Sequence, residues 1–355
     1  MSRARWLAVA ALAILGCSTT DDTADATACG GQTRSAIVNG TEREHYLALG
    51  VEDTRAIVRL YDGTGSTPDT CTGALIRQDW LITARHCLEI EGLAIDLRLD
   101  GDTRVLEPLE RAPHPELDVG LIRVAPELAA DDSVRPLAIA AGTVDERWLG
   151  ERVELAGFGT DEQGLLPAAP RYAVESITEI RDTKIAVDGL GRSGACLGDS
   201  GGPLLARDER GRPAVLGTLS TGSATCLHRD SYVRVDLLAE WIEMLAGAEV
   251  SGPVACGEIG EAGACSFGNA LRCRDGVLDA TACSGGEVCG WDTNQAAFGC
   301  VGAADDPCAG AGSAGVCEAT VARKCRDGVV SEVECWPCDR CGYDPATGVP
   351  QCHPK

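Results

Sequence analysis

The chain has 355 residues, 19 cysteines and a formal net charge of −23. Such an acidic balance excludes nucleic acid and anionic membrane surfaces as electrostatic partners, since both need basic patches. The length leaves room for a full core plus an appendage, and this many cysteines exclude a reducing cytosol unless the thiols hold metal.

Taken in chain order, Arg3 and Arg5 precede an apolar run from Trp6 to Leu15, short for a membrane span and suited to an export signal. The run ends in Ile14-Leu15-Gly16-Cys17, which resembles a bacterial lipobox. That resemblance implies a signal peptide over 1–17, lipidation of Cys17 and residence in a bacterial cell envelope, as an outer-membrane lipoprotein or outside the cell. A later cut near Ala26 or Ala28 is the alternative. Residues 18–36 are polar and aperiodic, and read as a tether or pro-segment. Over 37–250, short apolar runs alternate with Gly, Pro and Asp turns, which predicts an all-β barrel or sandwich. A helix is predicted at its end, capped by Asp236, buried through Leu237, Leu238, Trp241, Ile242 and Leu245, and stopped by Gly247.

Beyond Ser251 the composition becomes cysteine-rich. Cysteines at 256, 265, 273, 283, 289 and 300 recur 52 residues later at 308, 317, 325, 335, 341 and 352. Cys273-Arg274-Asp275-Gly276-Val277 likewise returns as Cys325-Arg326-Asp327-Gly328-Val329. Two tandem modules, 251–304 and 305–355, are expected, each stapled by three internal disulfides because so small a unit buries too little apolar surface. Cys-x-x-Cys spacing, the usual zinc knuckle, occurs only in the overlapping set Cys335, Cys338 and Cys341. Glu89, Glu91 and Asp96 form no calcium loop, so no metal site and no cofactor is expected. Outside the twelve repeated cysteines, lipidation would take Cys17, and a family resemblance, set out with its motifs next, implies that four more pair in the barrel region. Cys29 and Cys338 are then left, and a bond between them is expected, with pairing of Cys29 elsewhere or between molecules as the alternative.

Three motifs carry the chemistry: Thr83-Ala84-Arg85-His86-Cys87, Leu117-Asp118-Val119-Gly120-Leu121 and Gly198-Asp199-Ser200-Gly201-Gly202-Pro203. In this order they resemble the catalytic signatures of the chymotrypsin/trypsin family of serine endopeptidases, over about residues 37–247. The resemblance implies two six-stranded antiparallel β-barrels with the active site between them and a C-terminal helix. It implies Ser200 as nucleophile, His86 as its base and Asp118 as the group that orients the imidazole. The N–H groups of Gly198 and Ser200 would form the oxyanion hole, and disulfides would join Cys71 to Cys87 and Cys196 to Cys226. Ile37-Val38-Asn39-Gly40 resembles the activated N-terminus of the family, whose freed amine would pair with Asp199. The residue before it is Ala36, not Arg or Lys, and the alternative is that Ile37 merely begins a strand.

By the same resemblance the substrate pocket is lined by Gly194, Ser220, Gly222 and Asp230. Gly194 stands where trypsins carry an acid, and Asp230 falls where the family usually has a glycine. Asp230 would then either meet a basic side chain or be a solvated loop acid beside Arg229. Protein or peptide substrates are expected, together with a membrane contact through the lipid and an unidentified ligand of the tail. The alternative function is a non-catalytic protease homologue that binds partners through that tail. An esterase is disfavoured because Gly198–Gly202 lacks the Gly-x-Ser-x-Gly elbow.

Overall fold

The computed structural model describes residues 37–354 apart from short stretches, the longest at 126–132, 248–255 and 309–314. Cys17, Cys29 and Cys338 lie outside the described residues, as do the signal and tether segments.

Alternating apolar residues and tight turns produce two antiparallel β units. The first contains β1 (Ile57–Asp62), β2 (Thr70–Arg77), β3 (Trp80–Thr83), β4 (Leu93–Leu99), β5 (Asp102–Leu106), β6 (Glu110–Pro113) and β7 (Gly120–Arg123), in the order β5-β4-β1-β2-β3-β7-β6. The second contains β8 (Ala138–Ile139), β9 (Arg152–Gly157), β10 (Arg171–Ile180), β11 (Lys184–Asp188), β12 (Pro203–Arg207), β13 (Pro213–Thr221) and β14 (Arg229–Arg234). Pairing of β12 with both β9 and β13 closes six of these strands into a barrel, and the two-residue β8 adds in parallel to β13. Closure removes exposed strand edges.

Strand alternation decides what each face buries. On β10, Ala173 and Ile177 join the interior of the second barrel, whereas Tyr172 joins a core dominated by the first unit. That larger core also takes in Phe158, Leu205, Val233, Leu238 and Ile242, so an apolar seam joins the two units. The Thr83–Cys87 and Leu117–Leu121 motifs pack against this core.

The terminal helix spans Ala239–Ala246 and stops at Gly247, whose φ of +76° suits glycine. Its start differs from the sequence expectation. Asp236 opens a 3₁₀ turn, Asp236–Leu238, and its carboxylate accepts from Arg234 and from the Val144 N–H rather than capping the helix. A guanidinium is the stronger partner for a buried carboxylate. Leu238 and Ile242 are buried, but Leu237 is 50% exposed and does not belong to the packed face.

Each tail unit contains a three-stranded sheet and a hairpin. The strands are Ala264–Ser266, Asn269–Arg274, Val277–Ala282, Glu287–Asp292 and Ala297–Gly302 in one, and Val316–Glu318, Val321–Arg326, Val329–Glu334, Asp339–Tyr343 and Pro350–Pro354 in the other. In the first unit the disulfides are Cys256–Cys273, Cys265–Cys289 and Cys283–Cys300. The second contains Cys308–Cys325 and Cys317–Cys341, at equivalent positions. Trp291 and Phe298 of the first unit pack with Cys308 and Cys325 of the second, so the units share a small core. The tail also docks on the second barrel: Leu271, Leu278 and Ala280 surround Gly211, and Arg152 Nη2 donates to the Gly315 carbonyl at 3.1 Å.

Candidate active site

His86 lies in a 3₁₀ turn, Arg85–Glu89, that follows β3 directly, so the sheet fixes its position. Asp118 lies in the turn before β7, the strand that pairs with β3. The adjacent strands therefore bring the two motifs together. His86 Nδ1 is 3.1 Å from both Asp118 oxygens, and the His86 backbone N–H donates to Oδ1 at 3.2 Å. Ser220 donates a third hydrogen bond, Oγ to Asp118 Oδ2 at 2.8 Å. A bulge explains this reach: the β13–β14 register shifts between Leu219 and Thr221, which turns Ser220 out of the ladder.

The electrostatics follow from these contacts. Burial works against the charged form of Asp118, but the hydrogen bonds from His86 and Ser220 outweigh it and hold the carboxyl at about 2. The bond to Asp118 in turn raises the His86 imidazole, against an opposing effect of burial. This pair is arranged to carry an imidazolium.

Three side chains to which the sequence assigned no role support the arrangement. Arg85 Nη1 donates to the carbonyls of His114 and Pro115 at 3.1 and 3.2 Å, pinning the segment that leads into Asp118. His114 Nδ1 accepts from the Glu116 and Leu117 N–H groups at 3.2 and 3.0 Å and shapes the same turn. Lys184 Nζ donates to Ser220 Oγ at 3.3 Å, extending the chain of contacts beyond Asp118. An open cleft beside His86 is lined by Arg85, Glu89, Glu116, Leu117 and Asp118.

Ser200 reaches the seam on a glycine-rich turn between Cys196 and β12. Its carbonyl accepts from the Thr72 N–H at 2.8 Å and lies 3.5 Å from Cys87 Sγ, one residue from His86. The disulfides Cys71–Cys87 and Cys196–Cys226 fasten the two segments on either side. No hydrogen bond joins the Ser200 hydroxyl to His86, and catalytic contacts of this kind often tighten only around substrate. Gly198 has a φ of +99°, a conformation that favours glycine. The N–H groups of Gly198 and Ser200 donate to no protein acceptor among the described residues, whereas those of Asp199, Gly201 and Gly202 are all engaged. Cys71, His86 and Cys87 are also clustered, but the disulfide leaves no thiolate to bind metal.

Asp199 lies against the end of β9, beside Gly157 and Gly159. Its carboxylate accepts from the Gly159 N–H at 2.6 Å and the Cys196 N–H at 2.8 Å. Burial raises it to about 6 despite these bonds. Ile37 is 1% exposed within the second-barrel core, with an unusual φ of +31° for a branched residue, and Val38 bridges to Gly194.

Asp230 is not a solvated loop acid. It lies on β14 with no exposure, its Oδ2 accepting from the Ala195 N–H at 2.6 Å and its Oδ1 from the Ser223 N–H at 3.0 Å. It thus bridges the segment of Gly194 to that of Ser220 and Gly222. A Cβ on Gly222 would lie 3.1 Å from Asp230 Oδ1, so glycine there leaves the carboxylate room. Burial raises this carboxyl to about 7, with Asp199 and Asp188 adding repulsion.

Two β units with a His–Asp pair and a glycine-flanked serine at their seam define the serine-endopeptidase class of architecture. The model of the Trypsin family matches residues 37–242, more than half of the chain, and the chain belongs to that family. It is 27% identical over 270 residues to CLIP domain-containing serine protease B15 of Anopheles gambiae, covering 62% of this chain and 72% of that protein. Melanization protease 1 of Drosophila melanogaster is also 27% identical, with 49% of this chain and 57% of that protein covered. Chymotrypsin-like protease VLCTLP of Macrovipera lebetinus is 26% identical, with 55% and 83% covered.

Proposed function

We propose that the chain is an exported serine endopeptidase whose nucleophile is Ser200. The observation that carries this reading is the His86–Asp118–Ser220 cluster, set opposite a serine turn whose two N–H groups are unengaged. Ser200 Oγ attacks the scissile carbonyl as its proton passes to His86 Nε2. Asp118 keeps the Nδ1 proton in place and stabilises the imidazolium. The oxyanion receives the Gly198 and Ser200 N–H groups. Collapse of the tetrahedral intermediate transfers the His86 proton to the leaving amine and leaves an acyl group on Ser200. Water then repeats the sequence and frees the acid.

Activation follows a cut between Ala36 and Ile37. Support comes from the buried Ile37, its positive φ while the chain continues upstream, and the Val38–Gly194 bridge. The freed ammonium pairs with Asp199, which otherwise sits buried with backbone donors alone. The activating protease favours small residues, because Ala36 precedes the bond. A lipid on Cys17 anchors the precursor in a bacterial envelope, and a Cys29–Cys338 bond retains the anchored segment after activation. The disulfides fit an oxidising compartment.

The test is turnover of a peptide library by the processed protein and its Ser200→Ala variant. Loss of about 10⁴-fold or more is expected, because the triad acts as a unit. Turnover by neither would instead favour a homologue that acts through its tail, and equal, measurable turnover by both would remove Ser200 as the nucleophile.

A further inference from the structure

Residues 189–194 carry the chain from β11 to Gly194 at the candidate pocket. Leu190 and Gly191 follow one another at φ of +55° and +76°. A leucine holds a left-handed conformation only where its surroundings impose it. Local bonds close the turn: the Leu190 N–H donates to Asp188 Oδ1 at 2.6 Å, and the Arg192 N–H to the Gly189 carbonyl at 3.1 Å. On the inner side Ser193 Oγ donates to the buried Glu175 Oε1 at 3.4 Å. The Gly191 N–H reaches the Leu227 carbonyl at 2.8 Å, and a Cβ on Gly194 would lie 2.7 Å from the Cys226 carbonyl oxygen. Gly194 also bridges to Val38. One short segment therefore meets both the loop between Gly222 and Asp230 and the chain that follows Ile37.

On its outer side this segment is held by the tail. The Arg192 guanidinium lies against Gly342, on the strand Asp339–Tyr343 of the second unit, where any Cβ would collide with it. Arg192 Nε and Nη1 are buried. A planar guanidinium fits flat on a backbone that carries no side chain. Arg152, at the start of β9, makes a second grip: it donates to the Gly315 carbonyl at 3.1 Å while its guanidinium carbon stands 5.2 Å from the Tyr46 ring centroid. The two grip points are tied together. Gly315 packs on Pro350, which pairs with Tyr343 beside Gly342, and Cys317–Cys341 joins the two strands that follow Gly315 and contain Gly342. Gly315 and Gly342 repeat Gly263 and Gly290 at the 52-residue spacing. In the first unit those positions face Arg272 and Asp306, both within the tail. In the second unit the same pair of glycines meets two arginines of the catalytic domain.

We propose that the second tail unit is an intramolecular brace for residues 189–194, with Arg192 as the positioning residue that holds the pocket in its binding conformation. This deepens the endopeptidase reading and rests on it. The brace acts on substrate affinity, not on the proton transfers at His86 and Ser200. Without it the segment leaves the conformation that Leu190 strains to keep, and apparent affinity falls in proportion to the fraction still competent to bind.

The test uses the full processed chain with Arg192→Ala, Gly342→Ala and both together, assayed on the best peptide of the library. Each single substitution should raise KM about fivefold or more with kcat within about twofold of the parent. Thermal unfolding confirms that the variants are folded. The double variant should be no worse than the more affected single one, because both substitutions remove the same contact. Hydrogen exchange of residues 189–194 should quicken about tenfold or more in each variant, a readout that needs no activity. KM unchanged in both single variants, additive effects in the double variant, or unchanged exchange would each overturn the brace. A fall in kcat at constant KM would also overturn it, by placing the effect of Arg192 on the triad. If the parent cleaves no peptide, the endopeptidase reading fails by itself, and exchange still decides whether the tail holds the segment.

Discussion

Replacing Asp118 with asparagine probes the site at its most constrained point. The carboxylate faces His86 Nδ1 at 3.1 Å through both oxygens and also receives Ser220 Oγ at 2.8 Å. Its carboxyl falls from an ordinary 3.8 to about 2. At about 1.4 kcal/mol per pH unit, this favours the charged form by about 2 kcal/mol before solvent screening. The side chain is 31% exposed, and screening reduces the figure to about 1 kcal/mol in the resting enzyme. In the transition state the imidazole carries a full charge, and an amide facing Nδ1 also holds the ring in the wrong tautomer. The expected loss is then about 4–5 kcal/mol, a fall in kcat of roughly 10³–10⁴. The pH profile gives a second readout. Asp118 raises the His86 imidazole through their hydrogen bond, and activity, which needs the neutral ring, is lost as pH falls through that raised value. In Asp118→Asn the acid limb should move to lower pH while the plateau falls. Steady-state kinetics from pH 4 to 9 measure both. A plateau loss below tenfold, or a shift of the limb to higher pH, would refute the reasoning.

Other outcomes follow from the same structure. Asp199 and Asp230 are raised to about 6 and about 7, so their contribution to stability is complete below pH 3.8 and lost as pH rises through these values. The Tm of the uncut precursor should fall between about pH 4 and 7, and less steeply once cleavage at Ile37 gives Asp199 an ammonium partner; calorimetry showing identical slopes would disprove that pairing. Gly211 has a φ of +75°, and a Cβ there would lie 2.6 Å from Leu271 Cδ2. Gly211→Ala should therefore destabilise the joint between barrel and tail by about 1–3 kcal/mol, seen as a lower Tm or faster proteolysis of the tail. Non-reducing peptide mapping should recover Cys29 linked to Cys338, and a free Cys338 thiol would eliminate that bond.

Where the sequence was informative, a local rule and a tertiary demand agreed. The Thr83–Cys87 and Gly198–Pro203 motifs sit on turns directly adjoining β3 and β12, so the strands carry them to the seam. The helix start was not legible, because Asp236 satisfies a capping rule locally but is claimed by Arg234 and Val144, the latter 92 positions away. Cysteine spacing left fifteen pairings open in the first tail unit, and only the sheet geometry selects first with third, second with fifth and fourth with sixth. Asp230 could face solvent or pocket until the register of β14 against β11 placed it opposite Val187. Glu175 left a faint signal: in Ala173–Ile177 it occupies the inward phase of the alternation, where an acid is out of place. Arg85, His114 and Lys184 act through side-chain reach and carried no signal of their own.

The central claim, covalent catalysis at Ser200, is tested most directly with an organophosphonate probe. Processed protein beginning at Ile37 is incubated with the probe, digested and mapped by mass spectrometry. One phosphonyl adduct on Ser200 is expected, absent from both Ser200→Ala and His86→Ala. An unmodified Ser200 in protein that still cleaves peptides, or an adduct on another residue, would contradict the account.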